Sequence, residues 1–359
     1  MSHLLEAVDL FKTFRPRRSW PWSKKSVALE PTSFTLEAGE TLAIMGETGS
    51  GKSTLSKIIA GVEAPSGGEL YLNGQKLNYA QSKRRCQNIR MVFQDSDKSL
   101  NQQLTVGQQL EEPLLFNRDM PSSERKQLIN STLRKVGLLA EHAAFYPHML
   151  STGQKQRVAL ARTLAHEPAY VLLDEPLSNL DAALKDSLRW DIRDALKKAG
   201  VPAIWVTHDQ DEALSVGDRV GILNKGVLEQ LDTPEQCFEK PASKFVARFL
   251  GEASFLKGRI SGNEVETAIG NAPVYSADNQ QELVELLVRP DDVIITEKPE
   301  QANATVLRSR FEGGSRLLFA ALDSGETVSA RVSHELKVMP EQRVLLTLQS
   351  AHPLSAFNL

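Results

Sequence analysis

Cysteine is nearly absent. Cys86 and Cys237 are the only two in 359 residues, far apart and in no metal-ligand spacing. That excludes a disulfide framework, and both read as bystanders. The seven histidines do not cluster either. No apolar run reaches 18 residues, so no bilayer-spanning helix is expected. The opening "MSHLLEAVDL" lacks a basic n-region followed by an apolar stretch, and no signal peptide is expected. Net charge is only -3, with a pI near 6.2, so no global field draws nucleic acid or anionic lipid. Repeats at solenoid periods and low-complexity tracts are missing too. What is present is the ordinary 41% of hydrophobic residues of a core-forming chain, at a length that favours two domains.

The first 240 residues alternate strand and helix patterns, which predicts a largely parallel sheet covered on both faces. "TLAIM" (41–45), "IRMVF" (89–93), "YVLLD" (170–174), "AIWVT" (203–207) and "VGILN" (220–224) are buried-strand candidates. In "SSERKQLINSTLRKVG", Ile129, Leu133 and Val136 share one helical face and Gly137 can end the helix. After about residue 254 the pattern shifts to short strands and turns, with a hairpin expected at Asp323-Ser324-Gly325. The fold class expected from this alternation is α/β. A small all-β, barrel-like domain is expected at 255–359.

"GETGSGKST" supplies the chemistry. Gly46, Glu47, Thr48, Gly49, Ser50, Gly51, Lys52, Ser53 and Thr54 lie between a strand and a helix pattern. Glycines there let backbone N–H groups turn toward phosphate oxygens, and the helix presents its positive end to the same anion. Lys52 adds a cation for the β- and γ-phosphates, and Ser53 a hydroxyl for Mg²⁺. A chance glycine-rich turn would lack the strand and helix on either side. "YVLLDE" ends a strand in two acids, where an open α/β sheet faces its ligand. Asp174 suits the Mg²⁺ shell, and Glu175 is placed to polarise a water. Without the loop, the same pair would read as a solvated strand end.

"MLSTGQKQRVALARTLAHEP" precedes that strand. It resembles the signature segment, usually Leu-Ser-Gly-Gly-Gln, of ATP-binding-cassette (ABC) ATPases, and the resemblance covers about residues 3–250. It implies a phosphate-binding-loop (P-loop) cassette at 1–250 with a helical subdomain near 95–165, and two such cassettes, homo- or heterodimeric, enclosing two ATPs, each against Ser151, Gly153 and Gln154 of the opposite copy. Thr152 departs from the pattern by replacing the first glycine. The resemblance further implies that Gln94 reaches Mg²⁺ and the attacking water, and that His208 in "VTHDQDEA" contacts the γ-phosphate. Asp181 would link the two sites, and Phe14 would stack on adenine. A lone histidine at a strand end would otherwise read as structural, and Phe14 as a core aromatic on an edge strand. The basic run "RPRRSWPWSKK" (15–25) reads as a solvated hairpin tip rather than a lipid contact.

The resemblance then divides. Residues to about 165, with "NIRMVFQDSDKSLNQQLTVGQQLEEPLLFN" and "YPHML", resemble peptide-importer cassettes, except that Gln102 replaces a usual proline. From about 170, "LLDEPLSNLDAALKDSLRWDIRDAL" and "DTPEQCFEKPASKFVARFLGE" resemble ferric-iron, polyamine and sugar importers. "LLVRPDDVII" and "LDSGETVSARV" resemble their regulatory TOBE-like β-domain. The implied function is ATP hydrolysis coupled to uptake by separate permease subunits, fed indirectly by an external substrate-binding protein. The chain would sit peripherally on the cytoplasmic side of the membrane. Peptide is the expected cargo, with ferric iron, polyamine or sugar as the alternative. A soluble ABC ATPase acting on DNA or ribosomes is the reading from another class. It would call for long coiled coils or two cassettes in one chain.

Overall fold

Short β-rich apolar runs, too brief for buried helices, become the strands of a parallel sheet. The computed structural model describes residues 3–14, 26–79, 85, 88–92, 99–117, 120–178, 180–275, 282–296 and 299–359. Gln94, Cys86 and the basic run 15–25 therefore lie outside the described residues. Two compact units emerge, Met1–Pro234 and Glu235–Leu359.

The strands of the first unit are β1 (Leu5–Phe14), β2 (Ser26–Leu36), β3 (Thr41–Gly46), β4 (Gly67–Leu72), β5 (Gln75–Lys76), β6 (Ile89–Val92), β7 (Tyr170–Asp174), β8 (Ala203–Thr207), β9 (Arg219–Asn224) and β10 (Val227–Asp232). Its helices are α1 (Lys52–Ala60), α2 (Val106–Asn117), α3 (Ser122–Lys135), α4 (Thr152–Leu164), α5 (Ala182–Ala199) and α6 (Gln210–Val216). The main sheet has the order β10-β9-β3-β8-β7-β6 and is parallel except for the β9–β10 pair. Met45 stands opposite Thr207 and Asp174 opposite Val206. That register brings the C-terminal ends of β3, β7 and β8 together, where ligands of open α/β sheets bind.

Side-chain alternation divides the core in two. Val171, Leu173 and Trp205 pack under the helical layer with Leu110, Leu133, Leu160 and Ile192. Tyr170, Leu172, Ile204 and Val206 face the other way, toward Leu55, Ile58 and Ile59 of α1. An antiparallel sheet, β2-β1-β4-β5, contributes Leu5, Leu10, Leu29 and Phe34 to the same cluster. The expected helix face is buried, with Ile129, Leu133 and Val136 at most 4% exposed. Gly137 follows the helix at φ +75 and donates to the Arg134 carbonyl.

The second unit opens with helical turns, α7 (Pro234–Glu239) and α8 (Lys244–Phe249). The strands follow: β11 (Ser254–Ser261), β12 (Glu264–Thr267), β13 (Gly270–Pro273), β14 (Leu283–Val288), β15 (Val293–Thr296), β16 (Ala304–Phe311), β17 (Ser315–Leu322), β18 (Thr327–Ser333), β19 (Arg343–Leu348) and β20 (Ala356–Asn358). Two five-stranded sheets, β13-β12-β11-β14-β20 and β15-β19-β16-β17-β18, enclose one apolar cluster. The hairpin at 323–325 forms, with Gly325 N donating to Leu322 O at 2.9 Å.

The division after Pro234 falls ahead of the texture change near 254, and Arg289 supplies a physical reason. Its buried guanidinium donates to Ala247 O at 2.7 Å, Glu252 O at 3.2 Å and Phe238 O at 3.3 Å. It also lies 4.2 Å from the Phe238 ring centroid. These bonds satisfy carbonyls at helix ends and tie α7 and α8 to the β-domain. Burial pulls the Arg289 pKa down to about 10. Among the described residues, no helix is long and apolar enough to cross a membrane.

Candidate functional site

The loop at 46–54 is shaped by contacts that side chains would break. A Cβ on Gly46 would come within 2.1 Å of the Leu223 carbonyl oxygen. Gly51 has φ +107, and a Cβ there would meet Ala28 O at 2.6 Å. The Ser50 carbonyl accepts from Gly226 N at 2.8 Å, which fixes the loop to the β9–β10 turn. Ser50 Oγ is buried without a hydrogen-bond partner, an orphan that a phosphate oxygen would satisfy. Glu47, Thr48, Gly49 and Ser53 are exposed, and Thr54 is half-buried.

Lys52 opens α1 yet is only 5% exposed. Its Nζ donates to the carbonyls of Gly46 at 2.7 Å and Glu47 at 2.9 Å. Burial lowers its pKa, while the Glu175 and Asp174 carboxylates oppose that shift. The ammonium thus sits inside the loop, facing the two acids. Asp174 ends β7 and accepts from Ser56 Oγ at 3.1 Å. Its pKa is raised, mainly by burial, with the Ser56 bond opposing. Ser56, fully buried on α1, was passed over in the sequence. A serine beside Leu55, Ile58 and Ile59 was the available signal.

Glu175 follows in the left-handed region at φ +49, and its N–H donates to Val206 O at 2.8 Å. Such a backbone in a non-glycine residue costs on the order of 1–3 kcal/mol and often marks a functional turn. Glu175 Oε1 lies 3.3 Å from His208 Nδ1, with His208 half exposed. Loop, acids and histidine therefore converge at the ends of β3, β7 and β8. Among the described residues, no three His, Cys, Asp or Glu side chains form a metal cluster. The donors Ser53 and Asp174 instead suit Mg²⁺, which few protein oxygens hold together with substrate phosphates.

Phe14 is 42% exposed at the end of β1, with Lys12 Nζ 5.1 Å from its ring centroid. The core-aromatic alternative does not hold, and β1 lies between β2 and β4 rather than at an edge. Ser151 caps α4, accepting from Gln154 N at 3.3 Å while Gln154 Oε1 accepts from Ser151 N at 3.0 Å. This reciprocal box leaves Thr152 exposed in the first turn, and Gly153 is buried beneath it. Asp181 caps α5, accepting from Leu184 N at 3.0 Å.

A phosphate-binding loop, paired strand-end acids and a histidine at the next strand define a nucleoside-triphosphate-hydrolysing cassette. Family models match in the same order: "ABC transporter" over residues 29–178 and "TOBE domain" over 286–354. The putrescine export system ATP-binding protein SapF of Escherichia coli K12 is 39% identical over 254 residues, 70% of this chain and 95% of that protein. The sn-glycerol-3-phosphate import ATP-binding protein UgpC 2 of Agrobacterium fabrum is 35% identical over 336 residues, 91% of this chain and 88% of that one. The Fe(3+) ions import ATP-binding protein FbpC of Fusobacterium nucleatum is 36% identical over 311 residues, covering 84% and 81%. The solved dimeric cassette MJ0796, bound to ADP and phosphate, aligns at TM-score 0.54 and 30% identity over 64% of this chain and 98% of that one. CbiO1 of Clostridium perfringens, part of the complex cbiONQ, aligns at TM-score 0.59 and 27% identity, covering 66% and 90%. The chain belongs to the ATP-binding subunits of ABC transporters, and it is an ATPase.

The exposed Thr152 side chain stands where the family pattern has glycine. Thr152→Gly is expected to raise ATP turnover by freeing the approach to phosphate. Its cost in stability should stay within about 1 kcal/mol, the usual glycine penalty. Phosphate release and thermal melting check this, and a fall in turnover would mark Thr152 as an adapted part of the cap.

Proposed function

We propose that the chain powers a membrane importer, with ATP bound on the loop at 46–54 of one copy and against Ser151, Gly153 and Gln154 of another. The observation that carries this reading is the convergence of Lys52, Asp174, Glu175 and His208 at three adjacent strand ends. Backbone N–H groups of the loop and Lys52 hold the phosphates. Ser53 and Asp174 hold Mg²⁺, which supplies charge neutralisation on the phosphates when bound. Glu175 orients and deprotonates the attacking water, and His208 braces the γ-phosphate side. Phe14 stacks on adenine, Asp181 faces the second copy, and Gln94 is proposed beside Mg²⁺ on sequence resemblance alone.

The chain itself would lie against the cytoplasmic face of the membrane, beside permease subunits. The docking surface is proposed at about residues 94–150, where Asn101, Gln109 and Glu112 line part of a cleft of about 380 Å³. The cleft belongs to the segment that resembles peptide importers, which favours a peptide permease. SapF proteins described as peptide transport subunits are as similar as the one described for putrescine export. Ferric iron, with polyamine or sugar beside it, is the second reading, since FbpC and UgpC 2 both match 84% or more of this chain and so reach into the β-domain. Reconstitution with peptide-type, ferric-type and polyamine-type permeases tests the choice. Substrate-stimulated ATP hydrolysis is expected with the peptide type, and stimulation by the ferric type alone would reverse the ranking.

A further inference from the structure

His208 stands between two residues that share one hydrogen-bond circuit. Thr207 ends β8 and is buried, and its hydroxyl donates to Glu212 Oε2 while accepting from Asp209 N at 3.0 Å. Asp209 caps α6, its Oδ1 accepting from Glu212 N at 3.1 Å. Glu212 Oε1 accepts from the indole N–H of Trp205, also buried, at 3.0 Å. Of the residues on either side of the histidine, Thr207 is thus bonded to the Glu212 carboxylate and Asp209 to the Glu212 backbone N–H, and Glu212 is only 4% exposed.

Helix capping alone does not call for this. In the usual capping box, the acid at the third helical position reaches back to the cap residue's own N–H. Asp209 and Glu212 have that spacing, yet Thr207 takes the Asp209 N–H and Glu212 turns into the core. Burying a carboxylate is costly unless its bonds are made. Burial raises the Glu212 pKa, opposed by the Thr207 and Trp205 bonds, with Asp209 raising it and Arg189 lowering it further. The outcome is a stiff link from the sheet core to the backbone on either side of a half-exposed imidazole.

We infer that Glu212 and Thr207 are positioning residues that hold His208 against Glu175 through this circuit. The inference rests on the proposed role of His208 in hydrolysis. In the full-length chain, Thr207→Val keeps the β-branch but removes both hydroxyl bonds. It is expected to lower kcat by about tenfold with KM unchanged, less than the roughly 10²-fold that a 1 Å misplacement can cost. Thr207→Ser should restore turnover. On a His208→Ala background, Thr207→Val should produce no further loss, because its effect passes through the imidazole. Wild-type turnover in Thr207→Val beside an impaired His208→Ala would overturn the positioning role and leave the histidine's role standing. An added loss on the His208→Ala background would overturn it as well. Wild-type turnover in His208→Ala would overturn both. Should Thr207→Val melt early, Glu212→Gln is the second variant. It keeps an acceptor for Trp205 but takes the carboxylate from Thr207, and the same kcat loss without a KM change is expected.

Discussion

Replacing Glu175 with glutamine is expected to lower ATP turnover by at least about 10²-fold, the scale of a positioned general base. The substitution keeps side-chain volume and the backbone bond from Glu175 N to Val206 O, so the turn after β7 should persist. What it removes is the charge beside His208 and the acceptor for a water's proton. Binding contacts on the loop are untouched. ATP should therefore accumulate unhydrolysed, and the ATP-bound dimer should persist in size-exclusion runs where the parent chain dissociates. Parent-like phosphate release would remove Glu175 from the chemistry.

Lys52→Ala is the second large effect. The ammonium is buried against Gly46 O and Glu47 O and faces two carboxylates, so it is already held where phosphate would arrive. A charge-assisted contact contributes on the order of 1.5–3 kcal/mol. Its loss should weaken ATP binding by about tenfold to 10²-fold, each 1.4 kcal/mol being about a factor of ten. Fluorescence titration with nucleotide measures it, and melting of the free chain separates the effect from stability. Unchanged affinity would mean that the loop at 46–54 does not hold phosphate.

Much of the cassette was legible because its signals are local. β3, β6, β7, β8 and β9 are short apolar runs, and the loop's glycines, lysine and serine are contiguous. Ile129, Leu133 and Val136 follow the helical period on one short segment. The antiparallel sheet was not legible, for the opposite reason. β2 carries Pro31 and mixed polar residues, and β1 pairs with both β2 and β4 through shifted registers. Those pairings join distant segments and leave no period to read. Glu212 escaped for a related reason. In "DQDEAL" it reads as a solvated acid, and only the inward-facing Trp205 of β8 gives it a buried partner. The tie of α7 and α8 to the β-domain rests on Arg289, 42 residues beyond Ala247 and 51 beyond Phe238, which no local pattern announces.

The placement of nucleotide is tested most directly by determining the structure of the Glu175→Gln chain with ATP and Mg²⁺. The γ-phosphate is expected within hydrogen-bond reach of Lys52 Nζ and the loop N–H groups. The substituted side chain at position 175 and His208 should lie on its far side, with Ser151 of a second copy closing over it. Nucleotide bound anywhere else, or on the loop with residues 174–175 and 208 turned away from the γ-phosphate, would contradict it.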